Sequence, residues 1–561
     1  MNVTEEFRPW FEKYPGLFKT QTDILNLAGF GLDKEELARK GRIQFVGYSK
    51  VDPNRRLFVV FPNAFPSSPP RIFDAPPSKP LLRHHRINDR FFCLFGFNGA
   101  RWSATRSVAD ALAEVEELIS AFKDDNPDLA SQPPEPVTRA IRYELETAFL
   151  VPPPISTFNQ FAGLKFQTGK FRAKFICEGD QKRETRGRGI LLEADFGGEK
   201  LQSAHPFRDY FGNNGKEIHG DWFYLKDAPT QEGMAGDFNR CFKQIKAAKK
   251  AEYYWLAFIF NEEAGVVGKS RLAWLVARAN AAGQFHMLRT FPYVGQDRYV
   301  RIPGLAGLEQ KRVILIGCGS LGSKIAANLA ASGVNNFTLV DYDHFEPNNS
   351  VRHELGAEYF GILKVKALTS RLQSLNPAVA GNIKLFNFQV GTIYPISDEE
   401  EFQNLVKESD LIIDATAVHS VSHFLNDLSN ELRVPALYVS VTNGAWGGEV
   451  VRVVPGKTPC WTCWNDQYYD QRPPSAPKDR DEVFAPGCDQ PTFTGATHEL
   501  GMVANLATSM AIDTLLGTSD FSKNYIRWSG KDQTGQTAFL TEMLPTSGQV
   551  ACWWCGSQYG I

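Results

Sequence analysis

The C-terminal half of the chain alternates short apolar runs with segments of helical periodicity. From about residue 301 onward the apolar runs are RVILI, NFTLVD, IKLFNF, DLIIDA, ALYVSV and EVVRVV. Strands that alternate with helices usually form a mostly parallel sheet with helices on both faces. A ligand of such a sheet binds beyond the carboxyl ends of the strands. The pattern therefore predicts an α/β fold whose site lies at that edge.

The first third of the chain has a different pattern and ends at two proline clusters. The segment RSVADALAEVEELISAF predicts an amphipathic helix, because its apolar residues recur at helical spacing. These residues are Val108, Leu112, Val115, Leu118, Ile119 and Phe122. The proline clusters at 131–137 and 151–156 flank a short helical segment and suit a domain boundary. We therefore place a first domain at residues 1–150.

The middle of the chain, residues 151–297, mixes strand-like runs with one basic helix. The runs are KFRAKFICEG, GILLEADF and AEYYWLAFIF, and the helix is FNRCFKQIKAAKK. This segment offers no catalytic constellation. We predict a connecting α/β domain, which leaves residues 298–561 as the third domain.

Composition limits the classes of function. A chain of 561 residues favours about three domains, and 43% apolar and 22% charged residues are typical of a soluble globular protein. The net charge of −2 gives no electrostatic reason to expect nucleic acid or an anionic membrane as a partner. The first residues do not resemble a signal peptide, and no apolar stretch is long enough to span a bilayer. We expect a cytoplasmic protein.

A glycine turn follows the strand RVILI. Gly317 allows a tight turn, Gly319 lets the backbone approach a phosphate, and Gly322 lets the next helix pack on its strand. The start of that helix would then face an anion. Asp341, at the end of the second strand, would accept hydrogen bonds from the ribose of either NAD or ATP. The turn alone leaves both nucleotides open.

The residues after Asp341 favour ATP. Asn349, Arg352 and Lys364 lie just past its strand. A triphosphate under attack needs side-chain cations that offset developing charge, whereas a dehydrogenase holds its pyrophosphate largely by backbone groups. As isolated residues, Arg352 and Lys364 would instead be ordinary surface charges.

Four cysteines form two CxxC pairs. Cys460 and Cys463 lie in PCWTCW, and Cys552 and Cys555 lie in ACWWCG. Each pair can direct two thiolates at one metal, and four sulfurs with no open position describe structural zinc. One pair alone would be compatible with redox chemistry, but two pairs in one domain favour zinc.

The cysteines outside these pairs have different predicted roles. Cys488 lies between the two pairs, where a charged, proline-rich segment meets a helix. A helix start favours the thiolate, as a nucleophile requires. The alternative is that Cys488 is a buried cysteine with no catalytic role. We expect Cys318, inside the glycine turn, to have a packing role, and the sequence suggests no role for Cys177 or Cys241.

Residues 298–561 resemble the adenylation domain of the ubiquitin-activating, MoeB and ThiF superfamily. The resemblance rests on GCGSLGS, LVDYDHFEPNNSVRH, GILKVKA and the CxxC pairs. It implies a Rossmann-like fold that uses ATP with magnesium to adenylate the C-terminal carboxylate of a ubiquitin-fold protein. It also implies that the nucleotide contacts the residues singled out above: Gly317, Gly319 and Gly322 line it, Asp341 holds ribose, and Asn349, Arg352 and Lys364 meet the phosphates.

The same resemblance assigns three further positions. Cys488 would attack the acyl-adenylate and carry the acyl group as a thioester. The family usually places a magnesium-binding acid where this chain has Ala417, and Asp414 is the nearest substitute. Arg301, in RYVRI, is a candidate to reach the active site of a partner subunit, since dimers are common in the family.

Residues 40–122 resemble a ubiquitin-conjugating enzyme, an α+β fold. The ordered landmarks are FPSSPP, Cys93 followed by Leu94, the pair Trp102-Ser103 and the amphipathic helix. The resemblance makes Cys93 an acceptor of the thioester. The usual His-Pro-Asn is replaced by HHRIN, so Arg86 or His85 would support the oxyanion. A buried core cysteine, or a fold retained only for binding, is the alternative.

Together the two resemblances predict an acyl relay. Tethering raises the local concentration of donor for acceptor to about the millimolar range. The domain order resembles the bacterial activating–conjugating fusions of anti-phage CBASS operons, in which the C-terminus of a cGAS-like nucleotidyltransferase is conjugated to an amine. A sulfur-carrier adenylyltransferase of the molybdopterin or thiamine type and a non-catalytic nucleotide-binding scaffold remain alternatives, and hydride transfer is the weakest candidate.

Overall fold

The computed structural model of the chain contains two compact units, Met1–Val294 and Gly295–Ile561. It describes residues 9–40, 42–74, 86–87, 91–92, 94–95, 100–121, 138, 147–158, 167–177, 187–203, 215–226, 231–248, 253–263, 270–293, 302–391, 396–477, 493–518, 521–549 and 552–556. Within the described residues, no helix combines the length and the apolar character needed to cross a bilayer. The division into three domains stays a prediction.

The front of the first unit is an antiparallel sheet with helices. Strands β1 to β4 pair in sequence order, and β5 pairs with β6. The predicted amphipathic helix is confirmed as α4, whose Val108, Val115 and Ile119 are buried against Phe45 and Leu57 of the sheet. The elements are α1 Trp10–Lys13, α2 Pro15–Leu27, β1 Gly31–Leu32, α3 Lys34–Lys40, β2 Gln44–Tyr48, β3 Arg56–Val60, β4 Arg71–Asp74, β5 Arg86–Ile87, β6 Phe91–Phe92 and α4 Val108–Ala121.

The second sheet of this unit is a closed ring of strands. Its order is β10-β9-β7-β14-β13-β12-β11-β8, and β8 also pairs with β9, which closes the ring. The elements are β7 Thr147–Val151, β8 Thr168–Cys177, β9 Gly187–Phe196, β10 Glu199–Gln202, β11 Lys216–Tyr224, α5 Gln231–Ala248, β12 Tyr253–Glu263, β13 Ser270–Asn280 and β14 Phe285–Pro292. Strand β7 crosses the boundary that we set at residue 150.

The middle segment, for which we expected a connecting α/β domain, forms this ring of strands with one helix packed on it. Its long strands bury apolar side chains on both faces. One face gathers Phe149, Trp222 and Trp274, and the other packs against α5, where Phe238 stacks on Phe258 at 3.8 Å. Helix α5 covers one face, and closure of the ring buries the other face.

The second unit has one sheet with helices on both faces, as predicted. One apolar cluster packs α6, α7 and α11 on the sheet, and another packs α8, α9 and α10. The elements are β15 Arg312–Ile316, α6 Ser320–Ser332, β16 Asn336–Val340, α7 Lys364–Leu375, β17 Ile383–Phe386, α8 Ile396–Lys407, β18 Leu411–Asp414, α9 His419–Leu432, β19 Ala436–Val441, β20 Gly447–Val453, α10 Trp461–Tyr468, α11 Thr497–Leu516, β21 Tyr525–Lys531 and β22 Thr537–Leu544. Short 3₁₀ helices are Ile155–Thr157, Pro303–Leu308, Pro347–Asn349, Ala357–Tyr359, Pro377–Val379, Asn443–Ala445 and Tyr469–Gln471.

The strand order of this sheet is β17-β16-β15-β18-β19-β20-β21-β22. The first five strands are parallel, and the last three are antiparallel. The run EVVRVV, in β20, therefore does not continue the parallel pattern. The link between β19 and β20 is too short for the crossover that a parallel neighbour requires. Strand order reverses between β15 and β18, and ligands of open α/β sheets bind beside such a reversal.

Candidate nucleotide site and cysteine cluster

The glycine turn joins β15 to α6 beside the strand reversal. Gly317 has φ +86°, a conformation that favours glycine. A Cβ on Gly317 would lie 3.0 Å from the carbonyl of Ala415, the residue after β18. A Cβ on Gly322 would lie 1.9 Å from the carbonyl oxygen of Gly317. A Cβ on Gly319 would meet no described atom within 4 Å. The fold thus needs Gly317 and Gly322, whereas Gly319 borders open space.

Asp341 fixes the turn from the end of β16. Its Oδ2 accepts a hydrogen bond from the backbone N–H of Cys318 at 2.7 Å, and its Oδ1 accepts from Asp343 N at 2.8 Å. Burial raises the pKa of Asp341, and Lys364 opposes that effect. Cys318 is fully buried in the core, in agreement with the predicted packing role. Asp341 therefore holds the turn, besides its predicted role toward ribose.

His353 also holds the turn, and the sequence analysis missed it. Its Nδ1 accepts from Leu355 N at 3.2 Å, so Nε2 carries the proton and donates to the carbonyl of Cys318 at 2.8 Å. Burial lowers the pKa of His353 to about 4. No motif marks this residue, and its only signal is its place directly after Arg352.

The neutral His353 predicts an acid-sensitive stability. Its pKa lies near 6.5 in the unfolded chain and about 4 in the fold, so between these values the unfolded chain binds a proton that the fold does not. We expect the wild type to lose about 3 kcal/mol more than His353→Gln between pH 7 and pH 4. Urea unfolding at several pH values measures this difference. Equal losses in the two proteins would contradict the assigned proton position and burial.

The three residues expected at the phosphates all have protein partners in this structure. Arg352 Nη1 donates to the carbonyl of Phe493 at 2.6 Å, and Lys364 Nζ donates to Asp343 Oδ2 at 2.8 Å. The side-chain oxygen of Asn349 accepts from Glu346 N at 3.3 Å. Burial lowers the pKa of Arg352. Lys364 is connected to the turn, because its partner Asp343 donates its N–H to Asp341.

Both carboxylate oxygens of Asp414, the expected magnesium ligand, accept hydrogen bonds from residues that follow it closely in the sequence. Oδ1 accepts from Thr416 N at 3.0 Å and Thr416 Oγ1 at 2.7 Å, and Oδ2 accepts from Ser422 Oγ at 2.6 Å. Asp414 is buried, and burial raises its pKa. Ala417 is exposed at φ +55°. The geometry makes Asp414 a loop anchor, and as a metal ligand it stays a prediction.

The two CxxC pairs come together. The sulfur atoms of Cys460, Cys463, Cys552 and Cys555 lie within 4.8 Å of one another. Three of the S–S distances are 3.8 Å, 3.5 Å and 3.4 Å. Zn–S bonds of about 2.3 Å in a tetrahedron place sulfurs about 3.8 Å apart, so the donor set fits one zinc ion.

Several predicted residues lie outside the described part of the chain. These are Cys93, Cys488, Arg301 and His85, and the side chains of Arg86 and Cys177 are also outside it. Cys241 is buried on α5. In the front sheet region, two of the landmarks do touch: Trp102 Nε1 donates to the carbonyl of Pro66 in the FPSSPP turn at 2.7 Å.

Comparison with known proteins supports the C-terminal assignment. Residues 295–548 match the ThiF family model. The chain is 26% identical over 548 residues to the uncharacterized protein y4oA of Sinorhizobium fredii, and the match covers 88% of each chain. It is 33% identical over 168 residues to the ATP-dependent ubiquitin transferase-like protein Cap2 of Vibrio cholerae, 29% of this chain and 27% of that protein.

A third relative represents the sulfur-carrier branch. The chain is 30% identical over 166 residues to the sulfur carrier protein ThiS adenylyltransferase of Bacillus subtilis, 29% of this chain and 46% of that protein. The chain thus spans less than half the length of that enzyme and of Cap2. The glycine turn lies inside the region that the family model matches. Residues 295–548, which match the ThiF family model, contain the sheet of five parallel and three antiparallel strands with helices on both faces.

Proposed function

We propose that this chain uses ATP to adenylate the C-terminal carboxylate of a protein and then conjugates that protein to an amine. The observation that carries the proposal is the rigid glycine turn within a ThiF-family region. Asp341 accepts a hydrogen bond from the backbone N–H of Cys318 and His353 donates one to the carbonyl of Cys318, while Gly319 borders open space. Among the described residues, no side chain caps the start of α6. Backbone N–H groups at such a helix start bind phosphate.

The first step is the reaction of the substrate carboxylate with ATP. A carboxylate oxygen attacks the α-phosphorus of ATP, the bond to the β,γ-phosphates breaks, and pyrophosphate leaves. Arg352 and Lys364 would exchange their partners, Phe493 and Asp343, for phosphate oxygens and so offset the charge of the leaving group. Magnesium would be held mainly by phosphates and water, because both oxygens of Asp414 already accept hydrogen bonds.

The later steps pass the acyl group between sulfurs. The Cys488 thiolate attacks the acyl carbon and AMP leaves, and the Cys93 thiolate then displaces Cys488. An amine, such as a lysine side chain, finally displaces Cys93. The Cap2 relative, which is named as an ATP-dependent ubiquitin transferase-like protein, supports ATP-dependent transfer. The carried protein that we propose is a cGAS-like nucleotidyltransferase, in anti-phage defence. A ubiquitin-like protein is the alternative cargo, and a homodimer would let the transfer cross between subunits.

If the acyl group passes from Cys488 to Cys93, replacing each cysteine with serine should stop the reaction at a different step. With ATP and a cGAS-like nucleotidyltransferase as the substrate, Cys488→Ser should still form the adenylate but give only an oxygen ester that thiols do not cleave. Cys93→Ser should accumulate a thiol-sensitive adduct on Cys488. Intact-protein mass spectrometry with and without reductant distinguishes these products, and Cys241→Ser serves as the control. Normal conjugation by both variants would contradict the relay.

A sulfur-carrier adenylyltransferase is the second candidate, favoured by the ThiS adenylyltransferase relative. In that reaction the Cys488 thiolate would take a sulfane sulfur from a persulfide donor, which leaves as its thiol, and adding such a donor to the same assay would show an added sulfur mass on Cys488. The conjugating-like landmarks, including the contact between Trp102 and Pro66, favour conjugation instead, because sulfur transfer has no use for such a domain.

A further inference from the structure

The acceptor cysteine that we propose, Cys93, lies outside the described residues, but its neighbours on both sides are described. Phe92 ends β6 and is 3% exposed, and Leu94 is 5% exposed. Both side chains belong to the apolar core of the front sheet region. Because the Cα atom of Leu94 is only about 3.8 Å from that of Cys93, the position of Leu94 and of the residue after it limits where the thiol can lie.

The residue two positions after Cys93 has an unusual backbone conformation. Phe95 has φ +59°, in the left-handed region, which is rare and strained for a bulky aromatic residue. We call it, with Leu94, the Phe95 bend. The Phe95 ring is 1% exposed, lies 4.9 Å from the Trp102 ring and has the Arg106 guanidinium over it at 5.4 Å. Such a backbone conformation persists only where the surroundings hold it.

Two hydrogen bonds hold the main chain of Phe95. Its N–H donates to Glu114 Oε2 at 2.5 Å, and its carbonyl accepts from the N–H of Arg101 at 2.9 Å. Glu114 lies on α4, so this helix holds the Phe95 bend. Glu114 Oε1 also accepts from Arg101 Nη2 at 2.8 Å, but the Arg101 side chain is 69% exposed, and exposed ion pairs contribute little. The stronger restraint is the bond from the Phe95 N–H, because a charged acceptor strengthens a hydrogen bond.

We propose that Glu114 is a positioning residue for Cys93: it holds the Phe95 bend and so fixes the place from which the Cys93 thiolate attacks the thioester on Cys488. The carboxylate acts through a backbone N–H and not as an acid or a base, so only its acceptor oxygen is required. Without that oxygen the Phe95 N–H loses its partner, and the strained φ relaxes. Leu94 then moves, and Cys93 moves with it. The inference rests on the proposed function for the transfer to Cys93.

Glu116, two residues further along α4, provides a matched control. Its carboxylate also accepts hydrogen bonds from a loop, through the N–H groups of Lys50 at 2.9 Å and Val51 at 3.2 Å. That loop joins β2 to β3 and is distant from Cys93 in the sequence. Glu116 thus holds another loop of the same region in the way that Glu114 holds the Phe95 bend. Replacing Glu116 measures the effect of losing such a restraint where no proposed acceptor cysteine adjoins it.

Hydrogen exchange of the full chain tests the contact without any substrate, and mass spectrometry of overlapping peptides resolves the Phe95 amide. We expect this amide to exchange at least about tenfold faster in Glu114→Ala than in the wild type, because it loses its acceptor. Glu114→Gln, whose amide oxygen accepts the same bond, and Glu116→Ala should exchange like the wild type. Equal exchange in Glu114→Ala and the wild type would overturn the contact, and the proposal with it.

Single-turnover transfer tests the role. The full chain reacts with ATP, magnesium and a cGAS-like nucleotidyltransferase, and mass spectrometry follows the thioesters on Cys488 and Cys93. In the transfer the acyl carbon bonds to the Cys93 sulfur, its bond to the Cys488 sulfur breaks, and Cys488 leaves as its thiolate. We expect Glu114→Ala to load Cys488 normally but to transfer at least about tenfold more slowly, because misplaced reacting groups slow a reaction by such factors. Glu114→Gln should transfer within about threefold of the wild-type rate, since a neutral acceptor makes a weaker bond.

The outcomes separate this inference from the proposed function. Equal transfer by Glu114→Ala and the wild type would overturn the inference and leave the relay. Transfer by Glu114→Gln that is as slow as that by Glu114→Ala would assign the effect to charge, and an equal loss in Glu116→Ala would assign it to general destabilisation; either result contradicts the positioning role. A wild type that places no acyl group on Cys93 would remove the relay itself, and this inference with it.

Discussion

Replacing Gly322 with alanine is expected to abolish nucleotide binding and to destabilise the C-terminal unit by about 3 kcal/mol or more. The new Cβ would lie 1.9 Å from the carbonyl oxygen of Gly317, which is backbone and cannot rotate away. Helix α6 must therefore move off its strand, and inserted atoms in a packed site cost about 1–3 kcal/mol even where side chains can adjust. Urea unfolding and calorimetric titration with ATP measure the two effects.

Gly319→Ala is the matched control, because its Cβ meets no described atom within 4 Å. We expect this variant to unfold like the wild type but to bind ATP more weakly, since the added methyl group occupies the space in which a phosphate would approach. If Gly319→Ala binds ATP normally, the phosphate does not lie at the start of α6. If Gly322→Ala keeps normal stability, the packing described for the turn is wrong.

Loss of one cysteine of the cluster should release a zinc ion and unfold much of the C-terminal unit. Cys460 directly precedes α10, and Cys552 lies 92 residues further along the chain, so one ion would connect segments that are distant in the sequence. Structural zinc sites bind with apparent free energies of about 10–16 kcal/mol in small peptides, and that energy contributes to folding. We expect Cys460→Ser to lower the unfolding free energy by several kcal/mol.

Metal content and thermal unfolding test this expectation together. Native mass spectrometry should find one zinc per wild-type chain and none in Cys460→Ser, and a chelator should lower the melting temperature of the wild type but not that of Cys460→Ser. Cys241→Ser is the control, because Cys241 is buried on α5 in the other unit. A wild-type chain that carries no metal and is insensitive to chelator would remove the zinc assignment.

The sequence was sufficient to predict features that require one particular residue type at one position. The glycine turn could be predicted because the close contacts at Gly317 and Gly322 admit no side chain. The cysteine cluster could be predicted because two CxxC pairs supply the four sulfurs that zinc requires. The parallel strands β15 to β19 followed from the alternation of strands and helices, which leaves few topologies.

Long-range pairing and local competition for hydrogen bonds could not be predicted. The closure of the ring depends on β8 meeting β9 and β11 at once, and no periodicity encodes a strand's partners. Asp414 has the position of a metal ligand, but Thr416 and Ser422 occupy its oxygens. The role of His353 in holding the turn follows only from the hydrogen bonds of its two ring nitrogens, which the sequence does not indicate.

The exchange of radiolabelled pyrophosphate into ATP tests most directly whether the glycine turn activates a carboxylate. The full chain is incubated with ATP, magnesium, the label and a cGAS-like nucleotidyltransferase, the proposed substrate, either intact or without its C-terminal residues. We predict exchange only with the intact partner, and none with Gly322→Ala. Absence of exchange, together with tighter binding of NAD than of ATP, would contradict the account.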